Sequence, residues 1–142
     1  MVDKALQILI YEYICGNSYW KGKSMLNFLG GTAAKPLTAA DAVARAAKGE
    51  VTILDVREAA ELAASGTARG GVHIPVSLVP IKANPSAPDR DHRLDPSKPI
   101  AVFCAVGGRA GMAVQALQKL GYEAHNIGGF ADWVAAGGPV SR

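Results

Sequence analysis

Apolar and polar positions along the chain follow two different periods, and the changes of period divide it into elements. Leu6, Leu9, Ile10, Tyr13 and Ile14 recur at helical spacing and predict one apolar helix face, which Gly16-Asn17 would end. From residue 36 onward the pattern becomes a regular succession. Thr38 is placed to cap a helix from Ala39 to Lys48, rich in alanine and stopped by Gly49. Val51 to Leu54 reads as a short buried strand ending at Asp55, and Glu58 to Ala64 as a helix that stops near Gly66. A short strand is expected around Val72 to Ile74, then a polar, proline-bearing surface loop from Pro80 to Pro99, the segment expected to be mobile. Ile100 to Phe103 is apolar at every position, as in a central strand covered on both faces. Arg109 to Leu120 predicts a helix with Met112, Ala113, Ala116, Leu117 and Leu120 on one apolar face, stopped by Gly121; Tyr122 to Ile127 is the last strand. Strands alternating with helices at these lengths imply an α/β domain with a mostly parallel sheet. Such sheets bind ligands at the carboxyl ends of their strands, where Asp55 and Cys104 both fall.

Cys104 ends the central apolar run, and Ala105, Val106, Gly107, Gly108 and Arg109 lead from it into a helix. A strand, a tight loop and a helix N-terminus with a thiol inside the loop form a place where unpaired backbone N–H groups converge on an anion. The thiolate is the reactive form, and its pKa falls from about 8.5 into the range of roughly 3.5–7.5 beside a helix N-terminus or a cation such as Arg109. Cys104 is therefore the candidate nucleophile. Gly107 and Gly108 let the backbone turn closely around it, and the amides of Ala105 to Arg109 supply the donors.

Length and composition narrow the setting. With 142 residues, 49% hydrophobic and 19% charged, the chain is the size of one globular domain and not a disordered tail. Its net charge of +3 is spread over scattered lysines and arginines, with no basic run and no helix-turn-helix or zinc-finger spacing, so nucleic acid is not an expected partner. A mildly positive surface suits small anionic ligands. Cys15 and Cys104 cannot make a disulfide framework, and Cys15 reads as a small apolar residue. His73, His92 and His125 are dispersed, so no metal site and no cofactor is implied. At the N-terminus, Asp3, Lys4 and Glu12 interrupt what would have to be a secretory or spanning segment, and a cytoplasmic location follows as the expectation. The apolar helix there is expected to dock on the domain or on a second copy or other protein partner. Trp20, Lys21 and Lys23 offer only a weaker membrane-surface contact.

Four segments, in order, resemble the rhodanese-like sulfurtransferases. They are Ile53-Leu54-Asp55-Val56-Arg57-Glu58-Ala59-Ala60-Glu61-Leu62; Gly66 to Pro75, leading into an Ile-Pro; Cys104-x-x-Gly107-x-Arg109; and Gly128-Gly129-Phe130-Ala131-Asp132-Trp133 followed by Gly137-Gly138-Pro139-Val140. The resemblance covers about residues 36 to 140 and leaves residues 1–31 as an extension carrying the amphipathic helix. It implies a rhodanese-like α/β fold, with a mostly parallel five-stranded sheet flanked by helices. It places Asp55 and Arg57 in the supporting surround of the site, with Arg57 pairing with Glu61, and puts Trp133 in the core close to the site. Thr67 stands where many members have His, and Ala110 where Ser or Thr often follows the Arg.

The implied reaction is transfer of a sulfane sulfur from thiosulfate or a persulfide to a thiol or cyanide through a Cys104 persulfide, in two half-reactions. Cysteine phosphatases related to this fold carry five residues between Cys and Arg. Here only Ala105, Val106, Gly107 and Gly108 intervene, a cradle sized for sulfur. Ala105 and Val106 offer no side-chain charge to thiosulfate, so a persulfide or protein-bound donor is equally expected. The competing class is a sulfur-carrier, redox-sensing or partner-binding module on the same fold.

Overall fold

The computed structural model describes residues 35–142. The expected N-terminal helix, with Cys15, Trp20, Lys21 and Lys23, lies outside the described residues.

The first element is helix α1 (Ala39–Ala47), and Thr38 starts it. Its hydroxyl accepts from the Asp41 N–H at 3.1 Å while its own N–H donates to the Asp41 carboxylate at 3.1 Å, a reciprocal cap that satisfies two of the helix's orphan donors. Strand β1 (Thr52–Asp55) leads to helix α2 (Ala59–Ser65), whose N-terminus is closed by Glu58 N–H donating to Glu61 Oε2 at 2.8 Å. After β2 (Thr67–Ala68) and β3 (Val72–His73), the segment expected as an unstructured loop opens with a short helix, α3 (Val79–Lys82), and drops Ala83 and Leu94 into the core. Tyr122 Oη anchors it by donating to Ala83 O at 2.7 Å. The chain continues with β4 (Ile100–Cys104), α4 (Gly108–Lys119), β5 (Ala124–Gly129), α5 (Phe130–Ala135) and β6 (Val140–Ser141). Among the described residues no helix is long and apolar enough to cross a membrane.

The sheet is all parallel, in the order β3-β1-β4-β5. It has four strands, where five were expected. The edge beside β1 is taken by β3, with Leu54 opposite Val72 and Asp55 opposite His73. Thr67–Ala68 therefore finds its partner elsewhere, in a separate antiparallel ribbon with Val140–Ser141. Strand β4 lies in the interior, and all five of its residues are buried. Its side chains alternate between the sheet faces. Ile100, Val102 and Cys104 pack with Ala110, Ala113 and Leu117 of α4 and with Val79, while Ala101 and Phe103 pack with Ala42 of α1 and Trp133 of α5.

The apolar face of α4 thus runs through Ala110, Ala113 and Leu117, and Met112, expected inside, is 64% exposed. Alanines let the helix approach the sheet closely, and the face rotates toward them. Because the four strands are parallel, Asp55, His73, Cys104 and Gly129 gather at one carboxyl edge.

Candidate active site

Helix α4 begins without any conventional side-chain cap. Its capping position is Gly107, at φ +102°, ψ −14°, a left-handed conformation that glycine takes at little cost. This turns the Gly107 N–H back onto Cys104 Sγ at 2.9 Å, while the Gly107 carbonyl accepts from Gly111 N–H at 3.0 Å and starts the helix. The sulfur takes the place of a capping oxygen. Cys104 is buried, 1% exposed, with Ala105, Val106 and Gly108 exposed around it. Burial pushes the thiol pKa up, and the backbone amides of Ala110, Gly107, Val106 and Arg109 more than offset this, so it lies below the ordinary thiol value. The arrangement favours a thiolate in a pocket of amides.

The charged residues expected around the loop separate into two pairs. Arg109 makes a bidentate bridge to Glu61 of α2, Nη1 to Oε2 at 2.7 Å and Nη2 to Oε1 at 2.8 Å. The Arg109 guanidinium, and after it the Glu58 N–H, hold the Glu61 carboxyl at about 2. This corrects the expected pairing of Glu61 with Arg57. Arg57 turns instead to Asp55, with Nε to Oδ1 at 3.1 Å and Nη2 to Oδ2 at 2.8 Å, and both residues are buried. Its remaining donors reach Gly66 O at 2.7 Å and Ser65 Oγ at 2.9 Å, and its guanidinium lies over the Phe130 ring at 4.4 Å. Thr67 Oγ1 completes the set by donating to Asp55 Oδ2 at 2.7 Å. Every buried polar side-chain atom of this cluster is occupied, so Asp55 and Arg57 fasten β1, the end of α2 and the start of α5 together.

The far wall of the loop comes from the end of β5. Between the pairs Val102–Asn126 and Cys104–Gly129, two residues of β5 stand opposite Phe103 alone. This bulge carries Gly129 against the loop, where a Cβ would collide with the Ala105 carbonyl oxygen and stand 3.0 Å from its carbon. Gly128-Gly129 lets the chain pass near the loop as part of a strand bulge. Asn126, not singled out in the sequence, bridges the two segments: Nδ2 donates to Gly107 O at 2.9 Å and Oδ1 accepts from Gly128 N–H at 2.9 Å. An Asn two residues before a glycine is a known source of side-chain to backbone bonds, and that was the available signal. Trp133 is core, 1% exposed, stacked 6.4 Å from Phe103, with Nε1 donating to Pro139 O at 3.0 Å.

The histidines lie apart from the sulfur's polar shell. His73 Nε2 bonds to Arg57 O at 2.7 Å, His125 pairs with Glu123 at 3.0 Å, and His92 is exposed. Among the described residues, no group of three or more His, Cys, Asp or Glu side chains could hold a metal ion.

A parallel sheet whose interior strand delivers a cysteine to the first turn of a helix, across a loop of four residues, defines the architecture. The sequence profile of the rhodanese-like domain matches residues 38–136, and the chain belongs to that family. Among solved structures, a rhodanese-related protein from Thermoplasma volcanium is 33% identical over 75% of this chain and 96% of its own, with a TM-score of 0.60. A Rhodopseudomonas palustris protein of unknown function, described as a possible tyrosine phosphatase, is 31% identical over 75% and 83%, with a TM-score of 0.66. The rhodanese-like domain of an Anabaena protein is 30% identical over 73% and 76%, with a TM-score of 0.58. The comparison with curated proteins gives no match.

Proposed function

We propose that the protein is a sulfurtransferase whose Cys104 carries the transferred sulfur. The observation that carries this reading is the Gly107 N–H aimed at Cys104 Sγ at 2.9 Å, at the first turn of a twelve-residue helix. Such amides stabilise a thiolate before the reaction and a persulfide anion after it. In the first half-reaction the thiolate attacks the outer sulfur of the donor. A sulfur–sulfur bond forms to Cys104, the donor's own bond to that sulfur breaks, and sulfite leaves from thiosulfate or a thiolate from a persulfide. In the second, an acceptor thiolate or cyanide attacks the outer sulfur and regenerates the Cys104 thiolate. No cofactor takes part. Arg109 is held by Glu61, and Ala105 and Val106 carry no charge, so the site offers thiosulfate backbone amides and little else. A persulfide, small or protein-bound, is the donor these features favour.

The same features weigh against phosphate ester hydrolysis, the activity suggested for the Rhodopseudomonas palustris neighbour. Four residues separate Cys104 from Arg109, and the guanidinium that would face a phosphate is engaged by a carboxylate. Supporting roles for Ala105, Val106, Gly107, Gly108 and Arg109 as the loop, and for Asp55 and Arg57 as its foundation, belong to the same reading, as does a cytoplasmic setting. A second reading, a sulfur-carrier or redox-sensing module that works within a protein complex, draws on the 89% exposure of Val106 at the loop surface. Turnover with cyanide as acceptor, measured for the wild type and Cys104→Ser at matched folding, distinguishes these. The expected result is thiocyanate formation that the serine variant abolishes; near-wild-type turnover in that variant would refute the assignment.

A further inference from the structure

We propose that Asn126 is a positioning residue for Cys104: by holding the Gly107 carbonyl, it keeps the Gly107 N–H directed at the sulfur. The proposal rests on the reading of Cys104 as the sulfur-carrying nucleophile.

Gly107 is the joint of the loop. Its N–H, in one peptide plane, meets Cys104 Sγ at 2.9 Å, and its carbonyl, in the next plane, accepts from Gly111 N–H at 3.0 Å and from Asn126 Nδ2 at 2.9 Å. The two planes meet at a Cα with no side chain and φ of +102°, a position with wide rotational freedom. Nothing belonging to Gly107 itself keeps the N–H on the sulfur. The bond from Asn126 holds the second plane from outside, together with Gly111 N–H, and so narrows the rotation open to the first.

The side chain is itself held firmly. Its amide uses both ends, since Nδ2 donates to Gly107 O and Oδ1 accepts from Gly128 N–H at 2.9 Å, and only one orientation of the amide satisfies both bonds. Gly128 lies in the β5 bulge that brings Gly129 against Ala105. Asn126 therefore links the wall of the site to the joint of the loop. It is exposed, so it adds little to the core, and its two bonds are directed at these backbone groups alone.

The test is the ionisation of Cys104 in Asn126→Ala and Asn126→Asp, followed by thiolate absorbance and by the pH dependence of iodoacetamide alkylation, with thermal unfolding of each variant alongside. Aspartate retains the acceptor for Gly128 N–H, cannot donate to Gly107 O, and adds a negative charge beside the loop. The expected midpoint rises by about one pH unit in the alanine variant and further in the aspartate variant, as a weakened amide bond to a charged sulfur requires. A merely structural role would lower the unfolding temperature and leave the midpoint in place. Unshifted midpoints in the folded variants would overturn the proposal. A wild type that shows no depressed midpoint and takes up no sulfur would instead remove the nucleophile reading beneath it. Should either variant fail to fold, the side-chain amide resonances of Asn126 in the wild type must move with the Cys104 midpoint; resonances that stay still across that range would also overturn it.

Discussion

Gly129→Ala tests whether loop placement, more than loop composition, sets activity. A Cβ at residue 129 would overlap the Ala105 carbonyl oxygen and stand 3.0 Å from Ala105 C and 3.4 Å from Val106 Cα. Carbon–carbon contacts are comfortable at about 3.5–4.0 Å, so backbone on one side or the other must retreat by roughly 1 Å. Neither neighbour is the free end of a flexible side chain. Overpacking of this kind costs about 1–3 kcal/mol, which for a domain of this size lowers the unfolding temperature by roughly 3–13 °C. A retreat of Ala105 and Val106 also carries the Gly107 N–H away from its 2.9 Å contact with Cys104 Sγ, past the length at which a directed bond survives. Sulfur transfer should fall by about 100-fold, the usual penalty of a 1 Å misplacement. Gly49→Ala is the control. It sits at φ +70° with open space around it and should cost about 1–2 kcal/mol through backbone strain, with no change in transfer. Differential scanning calorimetry and a persulfide-to-cyanide transfer assay on both variants give the answer. A Gly129→Ala protein that unfolds early yet transfers sulfur at the wild-type rate would refute the reasoning.

Three further outcomes follow from the charged pairs. Arg57→Met leaves the Asp55 carboxylate buried with Thr67 as its remaining side-chain partner and should cost about 3–5 kcal/mol in urea unfolding, with Arg57→Lys restoring only part because the planar fork and its stacking on Phe130 are lost. A loss no larger than that of a surface substitution would contradict the foundation role. Glu61→Gln releases Arg109 beside the loop and should raise kcat/KM for thiosulfate more than for a neutral persulfide donor; equal changes for both would show that the guanidinium does not act on the donor. The Glu61 carboxyl should titrate by NMR near 2, against an ordinary 4.5. Because its folded value is depressed, the stability it contributes is present above pH 4.5 and is lost only as the pH falls toward 2. A midpoint near the ordinary value would mean that the Arg109 bridge does not persist in solution.

Much of this arrangement was legible in local pattern. Ile100 to Phe103 is apolar at both parities, as suits a strand covered on both faces, and it does lie between β1 and β5. Thr38, and the glycines flanking the central helix, mark element ends by chemistry that acts within a few residues. What escaped was set by distant partners. Two-residue strands such as Thr67–Ala68 and Val72–His73 have no period of their own, and the sheet edge open to them decides which joins it. Arg57 and Glu61 stand four apart, but Arg57 precedes α2 and is drawn to Asp55, leaving Glu61 to a residue 48 positions away. Apolar pattern puts Met112 on the inner face of its helix, whereas packing selects the small Ala110 and Ala113. Cys104 and its loop were readable because strand, glycines and helix start are contiguous. Asn126 was not, because its bond to Gly107 spans 19 residues and depends on a bulge that only the pairing of β4 with β5 reveals.

The most direct test of the central claim is the mass of the intact protein before and after exposure to thiosulfate or a persulfide donor, and again after cyanide. The expected result is a gain of one sulfur atom that cyanide removes and that Cys104→Ser never acquires. Absence of any sulfur adduct from either donor, in a protein whose Cys104 is still readily alkylated, would contradict the sulfur-transfer function and leave the redox-sensing or partner-dependent module in its place.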